Sequence, residues 1–246
     1  TVDYLAEKTN VICVINTTGT PYFERQPLRD VVTWYGLSEG IRDGILKDLK
    51  GNIQSFDFSG NAAAYVTHVI EDFFRDYGSV ALPDGSPAKI AIYFPQTEDL
   101  RELRPVIDAA MLACGQSPTL CLVNTSDTQL TKKADEDAFE RLNDPASPHR
   151  VILLVNKGTE GWNCPSLFAC ALARKLKSSN NFVLQASTRC LRQVPGNRHM
   201  ARVYLSTDNF TVLDRQLQET YGESIADLNN TFVEHGRRLL VLRKLC

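Results

Sequence analysis

The sequence predicts an α/β fold in which a parallel β-sheet is covered by helices on both faces. Short apolar runs bounded by polar loops are typical of buried strands. They cover residues 10–16, 89–94, 120–123, 151–155, 167–172 and 202–205. Segments with the apolar spacing of helices separate most of these runs. Strands that alternate with helices form parallel sheets, and ligands bind beyond the carboxyl ends of such strands.

The first half of the chain holds three predicted helices. Ser38 is a suitable N-cap for a helix that extends to residue 50, where Gly51 ends it. A second helix covers residues 62–76, and a third covers residues 98–114, in which we expect Pro105 to cause a kink or a restart. Each places apolar side chains three or four residues apart, so each has one face for the core.

The second half contains shorter elements. Val151 begins an apolar strand that leads into a polar loop containing glycine, and a second apolar strand follows. We then expect a helix that carries Gln185, Arg189 and Arg192. Further helices are predicted over residues 135–142, over 209–221 and from 225 onward.

The helix that carries the arginines has a polar and an apolar side. At about 100° per residue, Gln185, Thr188, Arg189 and Arg192 fall within about 100° of one another. Guanidinium groups bind phosphate through paired hydrogen bonds. Residues 161–207 include no Asp or Glu but seven Lys and Arg residues, in a chain of net charge −2. This pattern favours an anionic ligand, and a solvated helix face is the alternative.

Four segments, in chain order, resemble motifs of superfamily-two helicases. Residues 17–21 (TTGTP) are similar to motif III, and residues 91–98 (AIYFPQTE) are similar to motif IV. Residues 156–163 (NKGTEGWN) resemble motif V, with Asn163 in place of a common Asp. Gln185-x-x-Thr188-Arg189-x-x-Arg192 resembles the Gln-x-x-Gly-Arg-x-x-Arg of motif VI. Their order and spacing most closely resemble the helicase (Res) subunit of type III restriction enzymes and its DEAD/DEAH-box relatives.

The resemblance implies a RecA-like second helicase domain of the P-loop NTPase superfamily. It implies that residues 1–28 end a first RecA-like domain, that residues 29–208 form the second, and that residues 209–246 form a C-terminal helical extension. In such motors ATP lies between the two domains. The implied function is therefore that of the C-terminal motor half of an ATP-dependent DNA helicase or translocase.

The resemblance also assigns roles to individual residues. Arg189 and Arg192 become arginine fingers that stabilise charge on the transferring phosphoryl group, and Gln185 orients water or the γ-phosphate. The implied nucleotide-binding residues are Glu160, Gly161 and Asn163. Polar residues at strand ends are implied to contact nucleic-acid phosphates, with helix capping as the alternative for each: Gln96, Thr97, Asn124, Thr125 and Asn156. The implied coupling residues are Thr18, Gly19 and Thr20.

The phosphate-binding half of such a motor is missing from the sequence. No Gly-x-x-x-x-Gly-Lys-Ser/Thr segment occurs, so there is no P-loop. Asp135-Glu136-Asp137 follows no apolar strand, and we interpret it as a solvated helix face rather than a magnesium site. The chain also begins at Thr1 without Met. We therefore expect a piece of a larger protein, in which a first domain binds most of the ATP and Mg²⁺ and without which the chain is inactive.

Partners and location follow from the same interpretation. The implied partners are double-stranded DNA, the first RecA-like domain of the same protein and a modification (methyltransferase) subunit. The seven cysteines lie mostly in apolar runs without Cys-x-x-Cys spacing, which favours reduced thiols, a cytoplasmic location and no metal site. No apolar run has the length of a membrane span. A non-catalytic RecA-like module that binds nucleic acid or protein is the alternative function.

Overall fold

The computed structural model describes residues 35–57, 60–155, 157–158, 162–173 and 182–231, together with residues 4, 7, 8, 22–23 and 26–27. The chain divides into two compact units, Thr1–Thr33 and Trp34–Cys246. In the first unit, β1 (Tyr22–Phe23) and β2 (Gln26–Pro27) form a short antiparallel pair. The predicted coupling residues Thr18, Gly19 and Thr20 lie outside the described residues, so their role stays a prediction.

The second unit is built on a six-stranded parallel sheet, which confirms the predicted fold class. Its strands are β3 (Ile53–Phe56), β4 (Lys89–Phe94), β5 (Cys121–Asn124), β6 (Val151–Val155), β7 (Leu167–Leu172) and β8 (Arg202–Ser206). Their order across the sheet is β3-β8-β7-β4-β6-β5, and every neighbouring pair is parallel. β4, β6 and β7 are buried along their whole length, as their uninterrupted apolar sequences require.

Helices cover both faces of this sheet. They are α1 (Leu37–Arg42), α2 (Ala62–Tyr77), α3 (Thr97–Ala113), α4 (Lys133–Glu140), α5 (Phe182–Ser187), α6 (Thr207–Tyr221) and α7 (Ile225–Asn230). Ile90 and Ile92 of β4 share an apolar cluster with α2 and α3, whereas Ala91 and Tyr93 share the opposite cluster with α5 and α6. α3 continues through Pro105 and does not restart there. No helix in the described part of the chain has the length and apolar character needed to cross a membrane.

The segment after α1 differs from the predicted helix up to residue 50. α1 ends at Arg42, and Gly44 adopts a φ of 71°, which interrupts a helix. Ile45, expected in the core, is 61% exposed, whereas Lys47 is fully buried. The chain then forms the edge strand β3, whose mixed polar and apolar sequence gave no strand signal. Local apolar spacing could not predict this region, because distant backbone groups hold Lys47.

A buried carboxylate fastens α2 to β8. Asp72 is 5% exposed and accepts hydrogen bonds from the Tyr204 hydroxyl at 2.6 Å and from the guanidinium groups of Arg202 and Arg75. Arg202 also pairs with Asp76 at 2.6 Å. Burial alone raises the pKa of Asp72, but the Tyr204 hydrogen bond, the Arg202 charge and the arginine hydrogen bonds outweigh it. The pKa of Asp72 therefore lies below its ordinary value.

Candidate functional site

Residues 188–192, which carry both candidate arginine fingers, are called here the arginine turn. α5 ends at Ser187, residues Thr188–Leu191 form a 3₁₀ helix, and Arg192 is extended. The prediction of one helix through Arg192 is therefore wrong. The Thr188 hydroxyl donates to the Leu184 carbonyl oxygen at 2.8 Å, a bond of the kind that bends helices. A 3₁₀ helix advances about 120° per residue, so the angles calculated for an α-helix do not apply.

A buried glutamine of α6 anchors the start of α5. Gln216 is 4% exposed, and its side-chain oxygen accepts a hydrogen bond from the Leu184 backbone N–H at 2.9 Å. This bond satisfies a donor that the helix itself leaves unpaired. Gln185, the predicted water-orienting residue, follows directly and is half-buried. The arginine turn therefore follows a helix whose first turn is anchored to α6.

Arg189 lies against the loop that follows β6. Its Nη1 donates to the carbonyl oxygen of Trp162 at 2.7 Å, although the two residues are 27 positions apart. Trp162 is 8% exposed and its ring centroid lies 4.9 Å from that of Phe139, so its side chain packs in the core. The segments that resemble motifs V and VI therefore meet through a backbone carbonyl. This bond helps to orient the guanidinium group.

Arg192 lies beside the start of β7. Its carbonyl oxygen accepts a hydrogen bond from Lys47 Nζ at 2.7 Å, and the same ammonium group donates to the Leu167 carbonyl oxygen at 2.9 Å. The Arg192 backbone therefore lies near the amino end of β7, and not at the carboxyl ends of the strands, where ligands of such sheets bind. Its side chain is half-buried and has no hydrogen-bond or ion-pair partner among the residues that the structure describes.

The loop between β6 and β7 is held by the central strand and by a neighbouring loop. The Tyr93 hydroxyl of β4 donates to the Gly158 carbonyl oxygen at 3.2 Å. Burial raises the pKa of Tyr93 well above its ordinary value, while the Arg189 charge opposes that rise in part, so the hydroxyl stays protonated. Asn163 is exposed, and its carbonyl oxygen accepts a hydrogen bond from the Asn143 amide at 2.6 Å.

Gly158 is the position in this loop where a side chain is excluded. Its φ is 71°, and an added Cβ would lie 2.8 Å from Leu154 Cδ1 and 3.1 Å from Trp162 Cε3. Gly158→Ala should lower the free energy of unfolding by about 2–3 kcal/mol, because backbone strain and crowding add. Gly115 is the matched control, since it has the same φ of 71° and nothing within 4 Å of its Cβ position.

Urea denaturation of both variants separates these two causes. Gly115→Ala should lower the free energy of unfolding by only about 1 kcal/mol, which is the strain of an alanine backbone in the left-handed conformation. Equal losses for Gly158→Ala and Gly115→Ala would show that Leu154 and Trp162 move aside freely, and that the loop is not tightly packed.

Four of the predicted nucleic-acid contacts are described, and they follow the carboxyl ends of β4 and β5, the two strands on either side of β6. Gln96 is exposed and makes no side-chain cap for α3, and Thr97 is half-buried. Asn124 is 7% exposed. Thr125 is 2% exposed, and its hydroxyl accepts a hydrogen bond from the Asp127 N–H at 3.0 Å within the following loop. The contact role of each stays a prediction, and Gln96 is the most accessible of these four.

Several candidates cannot be placed. The predicted site residues Glu160, Gly161 and Asn156 lie outside the described residues. The same holds for the three basic residues after β7, which are Arg174, Lys175 and Lys177.

The positive charge of residues 161–207 is partly compensated by acidic residues from elsewhere in the chain. Arg202 forms ion pairs with Asp72 and Asp76 of α2, which lie outside the sequence window that contains no acidic residue. The acidic string on α4 is a solvated helix face, as interpreted, where Lys133 pairs with Asp137 at 3.0 Å. In the described part of the chain, no three His, Cys, Asp or Glu side chains are grouped closely enough to hold a metal ion.

Three features that orient the site were missed by sequence reasoning. They are the buried ammonium group of Lys47, the Trp162 carbonyl oxygen and the Gln216 side chain. A backbone carbonyl has no sequence signal. Gln216 does carry one in retrospect, because it is a polar residue beside Leu213 and Leu217 on the face that apolar spacing assigns to the core. Lys47 carries none, since the helical spacing of Ile41 and Ile45 would place it on the opposite face.

The chain matches no protein-family model and no curated protein sequence. Among solved structures it is similar to one described as a fragment of an HsdR subunit of a type I restriction enzyme from Vibrio vulnificus YJ016. The TM-score is 0.53 and the identity 18%, over 82% of this chain and 39% of the other. At this identity the likeness shows the fold alone, and it agrees with the parallel α/β sheet described above.

Two further structures are more distant. One is Mss116p DEAD-box helicase domain 2 bound to an RNA duplex, with a TM-score of 0.46 and 12% identity, over 67% of this chain and 58% of the other. The second is the ATP-dependent Type ISP restriction-modification enzyme LlaBIII bound to DNA, with a TM-score of 0.47 and 16% identity, over 70% of this chain. The chain spans only 58%, 13% and 39% of the three matched chains.

Proposed function

We propose that this chain is the second RecA-like motor domain of an ATP-dependent DNA helicase or translocase, of the kind that the Res subunit of type III restriction enzymes represents. The observation that carries the proposal is the hydrogen bond from Arg189 to the Trp162 carbonyl oxygen at 2.7 Å. This bond brings together the segments that resemble motifs V and VI. Two motifs that act on the same nucleotide must lie close together in this way. The six-stranded parallel sheet supplies the fold that such a motor needs.

In this proposal Arg189 and Arg192 act as arginine fingers on an ATP molecule held by a first domain. A guanidinium group aimed at the transferring phosphoryl group stabilises the charge that grows there. Arg189 suits this role because its hydrogen bond to the Trp162 carbonyl oxygen holds the guanidinium group beside the loop that resembles motif V. Gln185 orients water or the γ-phosphate. Asn163, with Glu160 and Gly161, lies near the ribose.

The remaining parts of the motor are assigned to other surfaces. ATP phosphates and Mg²⁺ are bound mainly by the first domain, since this sequence has no P-loop. Double-stranded DNA crosses the edge where β4, β6 and β5 end, with Gln96 donating to a phosphate oxygen. The coupling residues Thr18, Gly19 and Thr20 transmit hydrolysis to domain movement. A methyltransferase subunit is a further partner, and the cytoplasm is the proposed location.

ATP hydrolysis by the full-length protein and by this chain tests the proposed function. We expect the full-length protein to hydrolyse ATP, faster when double-stranded DNA is added, and this chain alone to show no turnover. Turnover by the chain alone would contradict the division of roles between two domains. A full-length protein that binds DNA without hydrolysing ATP would favour the non-catalytic binding module.

A further inference from the structure

Lys47 is a buried cation beside the arginine turn. It is fully buried, although it follows the short helix α1 in a segment of irregular structure. Lysine is almost never fully buried without a partner that compensates its charge. No carboxylate is among its described hydrogen-bond or ion-pair partners. Groups other than carboxylates must therefore compensate the buried charge of Lys47.

Four backbone carbonyl oxygens surround the Lys47 ammonium group. Two belong to the segment that begins β7, Pro165 at 2.6 Å and Leu167 at 2.9 Å. Two belong to the arginine turn, Cys190 at 3.3 Å and Arg192 at 2.7 Å. An ammonium group has three N–H donors, so four acceptors within reach must share them. Lys47 thus bridges the start of β7 and the end of the arginine turn.

The bridge is reinforced by the backbone and by an aromatic ring. The Lys47 backbone N–H donates to the Leu191 carbonyl oxygen at 2.6 Å, and Leu46 pairs with Arg192 in an isolated antiparallel bridge. The ammonium group also lies 4.3 Å from the centroid of the Phe168 ring, a favourable position for a cation. Carbonyls 190, 191 and 192 are therefore all bound by this one residue.

This arrangement has an electrostatic cost. Burial lowers the pKa of Lys47 to about 8, while the nearby thiols of Cys190, Cys164 and Cys170 act in the opposite direction. A buried apolar residue of similar length would avoid this cost, so packing alone does not explain a lysine here. An apolar residue would, however, leave the carbonyl oxygens of the turn without their donor.

We propose that Lys47 is a positioning residue that fixes the end of the arginine turn and thereby aims Arg189 and Arg192. This inference rests on the proposed role of the arginines as fingers. The last carbonyl groups of a helix have no partner within it, so those at the end of the 3₁₀ helix at Leu191 need another donor. Lys47 supplies that donor from a distant part of the chain, and a cation suits the carbonyl end of a helix.

Lys47→Met in the full-length protein tests this inference, with Lys50→Met as the matched control because Lys50 is an exposed lysine three residues away. Hydrogen exchange of the amides of residues 188–193 should become at least about tenfold faster in Lys47→Met and stay unchanged in Lys50→Met. ATP kcat should fall by about 100-fold with little change in KM, since misplacement of about 1 Å has that effect. Thermal unfolding shows whether Lys47→Met is folded, and Lys47→Gln, which retains amide donors, replaces it if it is not.

The outcomes separate this inference from the proposed function. Unchanged exchange in residues 188–193 would overturn the positioning role and leave the proposed function standing. Faster exchange in Lys47→Met with an unchanged kcat would also overturn the positioning role, provided that Arg189→Ala lowers kcat in the same assay. If Arg189→Ala leaves kcat unchanged, the proposed function itself fails and this inference fails with it.

Discussion

Arg189→Ala should lower the kcat of ATP hydrolysis by the full-length protein by about 10³–10⁵-fold, which is the range for arginine fingers in other phosphoryl-transfer enzymes. The KM for ATP should change by less than about threefold, because the guanidinium group acts mainly on charge that develops in the transition state. Arg189→Lys should recover only part of the loss. A lysine keeps the charge but not the planar fork that binds two phosphate oxygens.

Steady-state kinetics with a matched control checks this result. Arg198 is an exposed arginine in the loop that follows the arginine turn, so Arg198→Ala removes the same side chain at a position outside the proposed site. It should leave kcat and KM unchanged within about twofold, as surface substitutions away from special features do. Equal losses in Arg189→Ala and Arg198→Ala would point to general destabilisation. An unchanged kcat in Arg189→Ala would remove it from the proposed role.

Asp72→Asn should lower the free energy of unfolding by about 3 kcal/mol, the low end of the range for removing one partner of a buried ion pair. Asparagine keeps an acceptor but leaves the guanidinium of Arg202, whose side chain is 12% exposed, without its buried counter-charge. Asp76 remains near Arg202 and limits the loss. The Tyr204 hydroxyl also exchanges a charged acceptor for a neutral one.

The pH dependence of this loss has a defined direction. The pKa of Asp72 is lower in the folded protein than in the unfolded chain, where a value near 3.9 is ordinary. Its stabilising effect is therefore complete above about pH 4 and disappears as the pH falls through the folded pKa. The difference in unfolding free energy between the wild type and Asp72→Asn should shrink at acid pH.

Urea denaturation at several pH values measures this difference, and Glu71→Gln is the control. Glu71 is the exposed neighbour of Asp72 on α2. Removal of its charge should lower the free energy of unfolding by less than about 0.5 kcal/mol. If Asp72→Asn and Glu71→Gln lower the free energy of unfolding equally, Asp72 does not hold α2 against β8 as described.

The sheet was predictable from the sequence because buried parallel strands have continuous apolar sequences. The runs at β4, β6 and β7 therefore identified three strands by composition alone. β3 was missed, because an edge strand with the sequence IQSF needs no such run. Helix α2 was found because its apolar spacing is a local signal, and the structure adds a side-chain cap at Asn61.

The candidate site was predictable only in part. The spacing of Gln185, Arg189 and Arg192 identified the segment, but not the change from α-helix to 3₁₀ helix at Thr188. Tertiary contacts hold the arginine turn in place. The Trp162 carbonyl and the Lys47 ammonium group come from positions far away in the chain. Spacing rules describe neighbours in sequence, so they could not reveal partners of this kind.

In the proposed motor, Arg189 reaches the transferring phosphoryl group of a nucleotide held by another domain. The most direct test compares the affinity of the full-length protein for ADP with and without aluminium fluoride, which mimics that group in the transition state. We predict that the wild type binds the mimic far more tightly than ADP, and that Arg189→Ala loses most of this preference while its affinity for ADP is retained. A preference for the mimic that is the same in the wild type and in Arg189→Ala would contradict the account.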